Sequence, residues 1–89
     1  MVTAIILFKV GRSRINEIAE KLASIEELSE VFSVTGSYDL VAIARIKTND
    51  DLSTLVTERL GEVDGIESTD TMLAFKAYSR HDLESMFSL

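Results

Sequence analysis

An α+β fold of the ferredoxin-like kind is predicted for this chain: a β-α-β-β-α-β sandwich with an antiparallel four-stranded sheet and two helices on one face. Three observations predict it. Strand-like and helix-like periodicities follow one another in that order along 89 residues. Two of the strand-like runs, 2–10 and 40–47, are apolar on both faces, as the central strands of such a sheet require. No proline interrupts an element, and no linker or low-complexity stretch divides the chain, so one small domain is expected.

The elements follow in order. Residues 2–10 place Val2, Ala4, Ile6 and Phe8 on one face and Ile5 and Leu7 on the other, and Gly11 ends the run. Ser13 is the expected cap of a helix reaching about Ala23, with Ile15, Ile18, Ala19 and Leu22 at i, i+3, i+4 and i+7. Glu17, Glu20 and Lys21 fall on its solvated side. Residues 28–35 form a second strand, with Leu28, Glu30, Phe32 and Val34 facing one way and Ser29, Val31, Ser33 and Thr35 the other. Residues 40–47 form the third. Thr48 or Asn49 then caps a second helix over 50–60, whose inward stripe is Leu52, Leu55, Val56 and Leu60. Asp50 and Asp51 suit the positive end of its dipole. Gly61 and Gly65 mark the exit, 66–78 is the last strand, and 80–87 is a short tail helix presenting Leu83, Met86 and Phe87 on one side. The domain therefore covers 1–79, with 80–89 as a tail.

Composition narrows the function. The chain is 46% hydrophobic with 7% aromatic residues, rich for a small protein that leaves much of its surface exposed. The helix-free sheet face carries Ile5, Leu7, Val41, Ile43, Leu73 and Phe75, or their neighbours of opposite parity, and requires another subunit. A formal charge of -6 without a Lys/Arg cluster argues against a nucleic-acid surface and an anionic membrane surface. The absence of Cys removes disulfides, thiolate catalysis and Cys-ligated zinc together. No run approaches the roughly 18–20 apolar residues of a membrane span, and the start lacks the basic region of a signal peptide. A cytoplasmic protein is expected.

The catalytic inventory is thin. His81 is the single His, no second ligand lies at a metal-binding spacing, and no base accompanies any Ser. No catalytic residue, metal or cofactor is expected. Gly11-Arg12-Ser13-Arg14 is a weak anion-binding candidate, far short of a P-loop fingerprint. The segment Thr35-Gly36-Ser37-Tyr38-Asp39 says more. On residue chemistry it reads as a hairpin turn, with Gly36 supplying positive φ and Ser37 and Asp39 at turn positions. The alternative is one wall of a site for a small zwitterion: Asp39 pairing with an ammonium group, Gly36 allowing close approach, and Tyr38 shaping the pocket. Thr69 and Thr71, which share one side of the last strand, are candidates for the ligand carboxylate. That strand lies at the sheet edge away from the second strand, so the site is expected to be shared between subunits.

The run Val34-Thr35-Gly36-Ser37-Tyr38-Asp39-Leu40, followed by Val63-Asp64-Gly65-Ile66 and Thr69-Asp70-Thr71, resembles the effector (RAM) domain of the Lrp/AsnC family of transcriptional regulators. The resemblance runs from Val2 to about Tyr78. It implies a ferredoxin-like domain that dimerises through its sheets and assembles dimers into rings, often octamers. It also implies a free amino acid bound between dimers, near the turn at 36–39. Full-length members carry a DNA-reading helix-turn-helix ahead of this domain. Here the first strand begins at Val2, so the chain is similar to the stand-alone effector subgroup. It is expected to modulate transcription or amino acid metabolism indirectly, including by co-assembly with a full-length regulator, without binding nucleic acid itself. Two other readings share the element order. An ACT-like regulatory module places its ligand at the turn after the first strand, here Gly11. A small dimeric α+β barrel enzyme of the monooxygenase type uses His, Asn or Trp in an enclosed cavity; this chain has no Trp, and its His falls in the tail.

Overall fold

Four strands pair antiparallel in the spatial order β2-β3-β1-β4. In the computed structural model, which describes residues 1–78 and Arg80, they are β1 (Val2–Val10), β2 (Leu28–Ser33), β3 (Leu40–Ile46) and β4 (Ile66–Ala74). Helix α1 (Ile15–Ala23) follows β1, and α2 (Asn49–Thr54) follows β3. The two strands with apolar residues on both faces are the central pair, as predicted.

One face of the sheet is closed by the helices. Ala4, Ile6 and Phe8 of β1 and Leu40, Ala42 and Ala44 of β3 are fully buried there, against Ile18 and Leu22 of α1 and Leu55. The register sets this directly, since Ile6 lies opposite Ala42 and Phe8 opposite Leu40, and directly opposed residues share a face. Every buried side chain among the described residues is apolar.

Four details depart from the sequence reading. Ser13 is not the cap of α1: residues Arg12–Arg14 form a 3-10 turn in which the Arg14 N–H donates to the Gly11 carbonyl at 2.9 Å, and α1 starts after it without a side-chain cap. An i→i+3 turn of this kind satisfies a leading N–H by backbone alone.

The second helix is not α-helical to its end. Thr48 caps α2, its Oγ1 accepting from the Asp51 N–H at 3.1 Å. The chain then continues as a π turn over Leu55–Arg59 and a 3-10 turn over Leu60–Glu62. Leu55 and Leu60 are five residues apart and both buried. An i→i+5 turn brings such a pair towards one side, whereas an α-helix would splay them. The Thr57 hydroxyl also donates to the Ser53 carbonyl at 2.7 Å, a side-chain bond of the kind that perturbs a helical ladder.

Strand β2 stops at Ser33 and contains a bulge between Leu28 and Glu30. Leu28 pairs with Ala44 and Val31 with Ala42, so both face the helices, while Phe32 pairs with Val41 on the other side. The extra residue reverses the strand's parity, and the alternation predicted for 28–35 breaks there. Strand β4 ends at Ala74 instead of Tyr78, because its last partner on β1 is Thr3. Leu73 pairs with Ala4 on the helix side and Met72 with Ile5 on the open side, so Met72 takes the place expected for Leu73. Phe75 lies beyond the strand and is almost fully exposed. The tail helix expected over 80–87, His81 included, lies outside the described residues apart from Arg80.

The open face carries Ile5, Leu7, Val41 and Ile43, all half-buried, with Phe32 47% and Met72 46% exposed. The covered face has its own fixed point at Gly65. Its φ is +99°, and a Cβ there would sit 2.6 Å from Arg14 Nη1 and 2.8 Å from Ile18 Cδ1. The Arg14 guanidinium reaches Glu17 at 3.0 Å and Asp64 at 3.3 Å, tying the start of α1 to the turn before β4. The hydrogen bond and charge of Glu17 raise the Arg14 pKa, and Arg14 in turn lowers that of Glu17.

Candidate functional site

The loop between β2 and β3 closes on itself through the Val34 N–H, which donates to the Asp39 carbonyl at 3.0 Å. Gly36 sits at its outer bend with φ +112°, and nothing lies within 4 Å of where a side chain would begin. A non-glycine residue is disfavoured there by backbone conformation alone.

Asp39 joins this loop to the end of β1. Phe8 is the last β1 residue paired with β3, opposite Leu40. Beyond it the Asp39 N–H donates to the Phe8 carbonyl at 2.9 Å, and Asp39 Oδ2 accepts from the Val10 N–H at 3.0 Å. The carboxylate thus substitutes for the strand carbonyl that β3 no longer provides, a role suited to a short acidic side chain at a turn.

Tyr38 reaches further. Its hydroxyl donates to Asp70 Oδ2 on β4 at 3.1 Å, spanning the end of β1. Asp70 pairs with Leu7 and so stands on the open face. The hydrogen bond to the Asp70 carboxylate, then its negative charge, then desolvation raise the Tyr38 pKa.

Thr69 and Thr71 lie on the reverse side. Thr69 pairs with Phe8 and Thr71 with Ile6, both of which face the helices. Strand β1 separates β3 from β4, so the turn and the two threonines are at least two strand spacings apart, about 9–10 Å. Within one subunit Gly36, Tyr38 and Asp39 come together, Tyr38 touches β4 through Asp70, and Thr69 and Thr71 flank that contact from the opposite face. Asp70 was not singled out by sequence reasoning. Its place between two threonines indicates only that it faces the other way from them; which residue it meets depends on register.

Among the described residues no Lys or Arg nitrogen lies within 4.0 Å of the Asp39 or Asp70 carboxylate. The Asp70 carboxylate, without a cationic partner and beside a phenol and the half-buried Leu7, suits a cationic ligand group. No group of three or more His, Asp or Glu among the described residues is placed to hold a metal. A cleft of about 490 Å³ lies at the opposite end of β1 and β3, lined in part by Glu27, Arg45, Lys47, Asp51 and Arg59. Arg59 Nη1 contacts both Glu27 oxygens there, Oε1 at 2.7 Å, which clamps the π turn to the residue before β2.

Comparison with known proteins agrees with this architecture. The family described as "Lrp/AsnC ligand binding domain" matches residues 3–83. The HTH-type transcriptional regulator FL11 of Pyrococcus furiosus is 35% identical over 77 residues, which are 86% of this chain and 50% of that protein; the chain spans about half the length of the curated relatives it matches. Among solved structures, TTHA0845 from Thermus thermophilus is 41% identical with a TM-score of 0.83, covering 90% of this chain and 100% of that one. The protein PHS023 from Pyrococcus horikoshii is 34% identical with a TM-score of 0.80, covering 91% and 98%. With the ferredoxin-like order, the β2–β3 turn and a match over nearly the whole length in agreement, the chain belongs to the Lrp/AsnC ligand-binding-domain family.

Proposed function

We propose that this domain binds a free amino acid, forms oligomers, and modulates transcription or amino acid metabolism indirectly, without catalysing a reaction. The observation that carries the reading is the match of residues 3–83 to a ligand-binding domain of regulators. The geometry at the turn supports it. Gly36 and Tyr38 form one wall, held in place by Asp39, and the neighbouring Asp70 makes it an acidic side that suits an ammonium group. Thr69 and Thr71 supply hydroxyls for the carboxylate or side chain. Because those threonines face away from the Tyr38–Asp70 contact, a ligand touching both sets passes around the edge of β4 or bridges two subunits, as a site between dimers would. Charge-assisted hydrogen bonds of this type contribute about 1.5–3 kcal/mol each, enough to matter for so small a ligand.

Assembly follows from the open face. Dimers form by stacking these apolar faces, and rings of dimers, octamers among them, bring one turn beside another subunit's β4. The same surfaces allow co-assembly with a longer relative that reads DNA. The net charge of -6 and the lack of a basic cluster support an indirect effect on transcription. Among the described residues no helix is long and apolar enough to cross a membrane, and a cytoplasmic location fits the regulatory relatives.

Thermal shift on the assembled protein against the twenty amino acids tests the reading. A bound amino acid at ~100 times its Kd adds ~2.7 kcal/mol to stability. A flat response across the panel removes amino-acid binding from the function.

A further inference from the structure

We infer that the two carboxylates beside the turn divide the work: Asp39 is a positioning residue that builds the turn, and Asp70 is the group that meets the ligand ammonium. The inference rests on the amino-acid-binding reading and assigns roles within that site.

Asp39 is bound on three sides. Its N–H, its carbonyl and Oδ2 each hold a backbone group, at Phe8, Val34 and Val10 respectively. All three contacts are 2.9–3.0 Å long, and together they fix where β1 ends and the loop begins. Such a carboxylate cannot swing towards a ligand without releasing the Val10 N–H, and an unpaired backbone donor in a partly buried place is destabilising. What the position requires is an oxygen acceptor on a short side chain. A negative charge is not required.

Asp70 is in the opposite situation. It is exposed, its one bond among the described residues is from the Tyr38 hydroxyl, and no backbone group depends on it. It stands on the open face, next to Leu7 across the strand pair. When a neighbouring subunit closes over the ligand at that edge of the sheet, an unneutralised carboxylate there is costly unless a cation joins it. A ligand ammonium supplies that cation, and Tyr38, anchored by the loop, aims the carboxylate at it. Asp70 therefore favours amino acids over the corresponding carboxylic acids that lack the amine.

The test compares wild type, Asp39→Asn, Asp39→Ala and Asp70→Asn as assembled proteins. The probes are the twenty amino acids, with 4-methylpentanoate as the amine-free counterpart of leucine. Asn at 39 still offers an oxygen to the Val10 N–H, so Asp39→Asn is expected to bind within about threefold of wild type and to protect the Val10 amide from hydrogen exchange. Asp39→Ala is expected to expose that amide and lose binding with it. Asp70→Asn is expected to keep Val10 protected and weaken amino acid binding tenfold or more, the loss of one charge-assisted contact. It is expected to leave any weak 4-methylpentanoate binding unchanged. Binding lost in Asp39→Asn and kept in Asp70→Asn overturns the inference while amino-acid binding stands. If wild type binds none of the twenty, the amino-acid reading falls and takes the role of Asp70 with it. Val10 exchange in the Asp39 variants then still decides the positioning role.

Discussion

The two faces of the central strands are built from similar residues and end in different states. On the helix side, Ile6, Phe8 and Leu40 are fully buried by the chain itself. On the other side, Ile5, Leu7, Val41 and Ile43 are half-buried, and Phe32 and Met72 remain exposed. Both faces are apolar, but two helices cover one layer only. The difference separates two roles. The helix-covered face makes the domain a folded unit, and the open face leaves apolar surface of the kind that association covers. The Tyr38–Asp70 contact lies on the open side and the Asp39–Val10 contact at the strand end, so the candidate site borders the open face.

The contrast can be broken most forcefully from the covered side. Phe8→Ala is expected to lower stability by about 3–5 kcal/mol, seen in chemical denaturation as a loss that persists at every protein concentration. Ile43→Asp strikes the open face. The isolated chain is expected to keep its secondary structure by circular dichroism, while sedimentation shows association at least tenfold weaker, since an apolar contact is replaced by a desolvated charge. If Ile43→Asp unfolds the chain without changing association, the two faces do not have separate roles.

A smaller effect sharpens the same division. Thr48→Ala removes the cap of α2 and is expected to cost about 1 kcal/mol. The loss should appear in unfolding and leave the oligomer distribution unchanged. The smallest effect is spectroscopic and sits at the rim of the open face. The Tyr38 pKa is raised above its ordinary value of 10.0, so the Tyr38–Asp70 bond contributes below that value and is lost as pH rises through the higher folded-state pKa. In a Tyr78→Phe background, tyrosinate absorbance is expected to rise at lower pH in Asp70→Asn than in the parent. Coincident titrations would show that Asp70 is not charged beside Tyr38.

How far the sequence could be read depended on the range of each interaction. The two-sided apolar runs of β1 and β3 marked the central strands, because burial on both faces leaves no alternation. The capping of α2 by Thr48 was legible as one of two neighbouring choices. The bulge in β2 was not, because one extra residue reverses parity only relative to a partner strand. The π turn escaped for a similar reason: Leu52, Leu55, Val56 and Leu60 suit an ordinary helix until the core demands both Leu55 and Leu60. At the candidate site, turn chemistry nominates Gly36, Tyr38 and Asp39, and a shared side of one strand nominates Thr69 and Thr71. The partners of these residues were not found. Val10 for Asp39 is 29 residues away, and Asp70 for Tyr38 is 32.

By itself, the sequence determined the order of elements, which strands lie inside, where the turn falls, and that more apolar surface exists than one small chain can cover. These follow from periodicity and from the conformational limits of single residues, which act over a few positions. Only the tertiary structure decided that Thr69 and Thr71 face away from Asp70, that Met72 and not Leu73 joins the open face, and that Asp39 holds a backbone amide. Those facts depend on register between distant strands, where a shift of one residue exchanges the two faces.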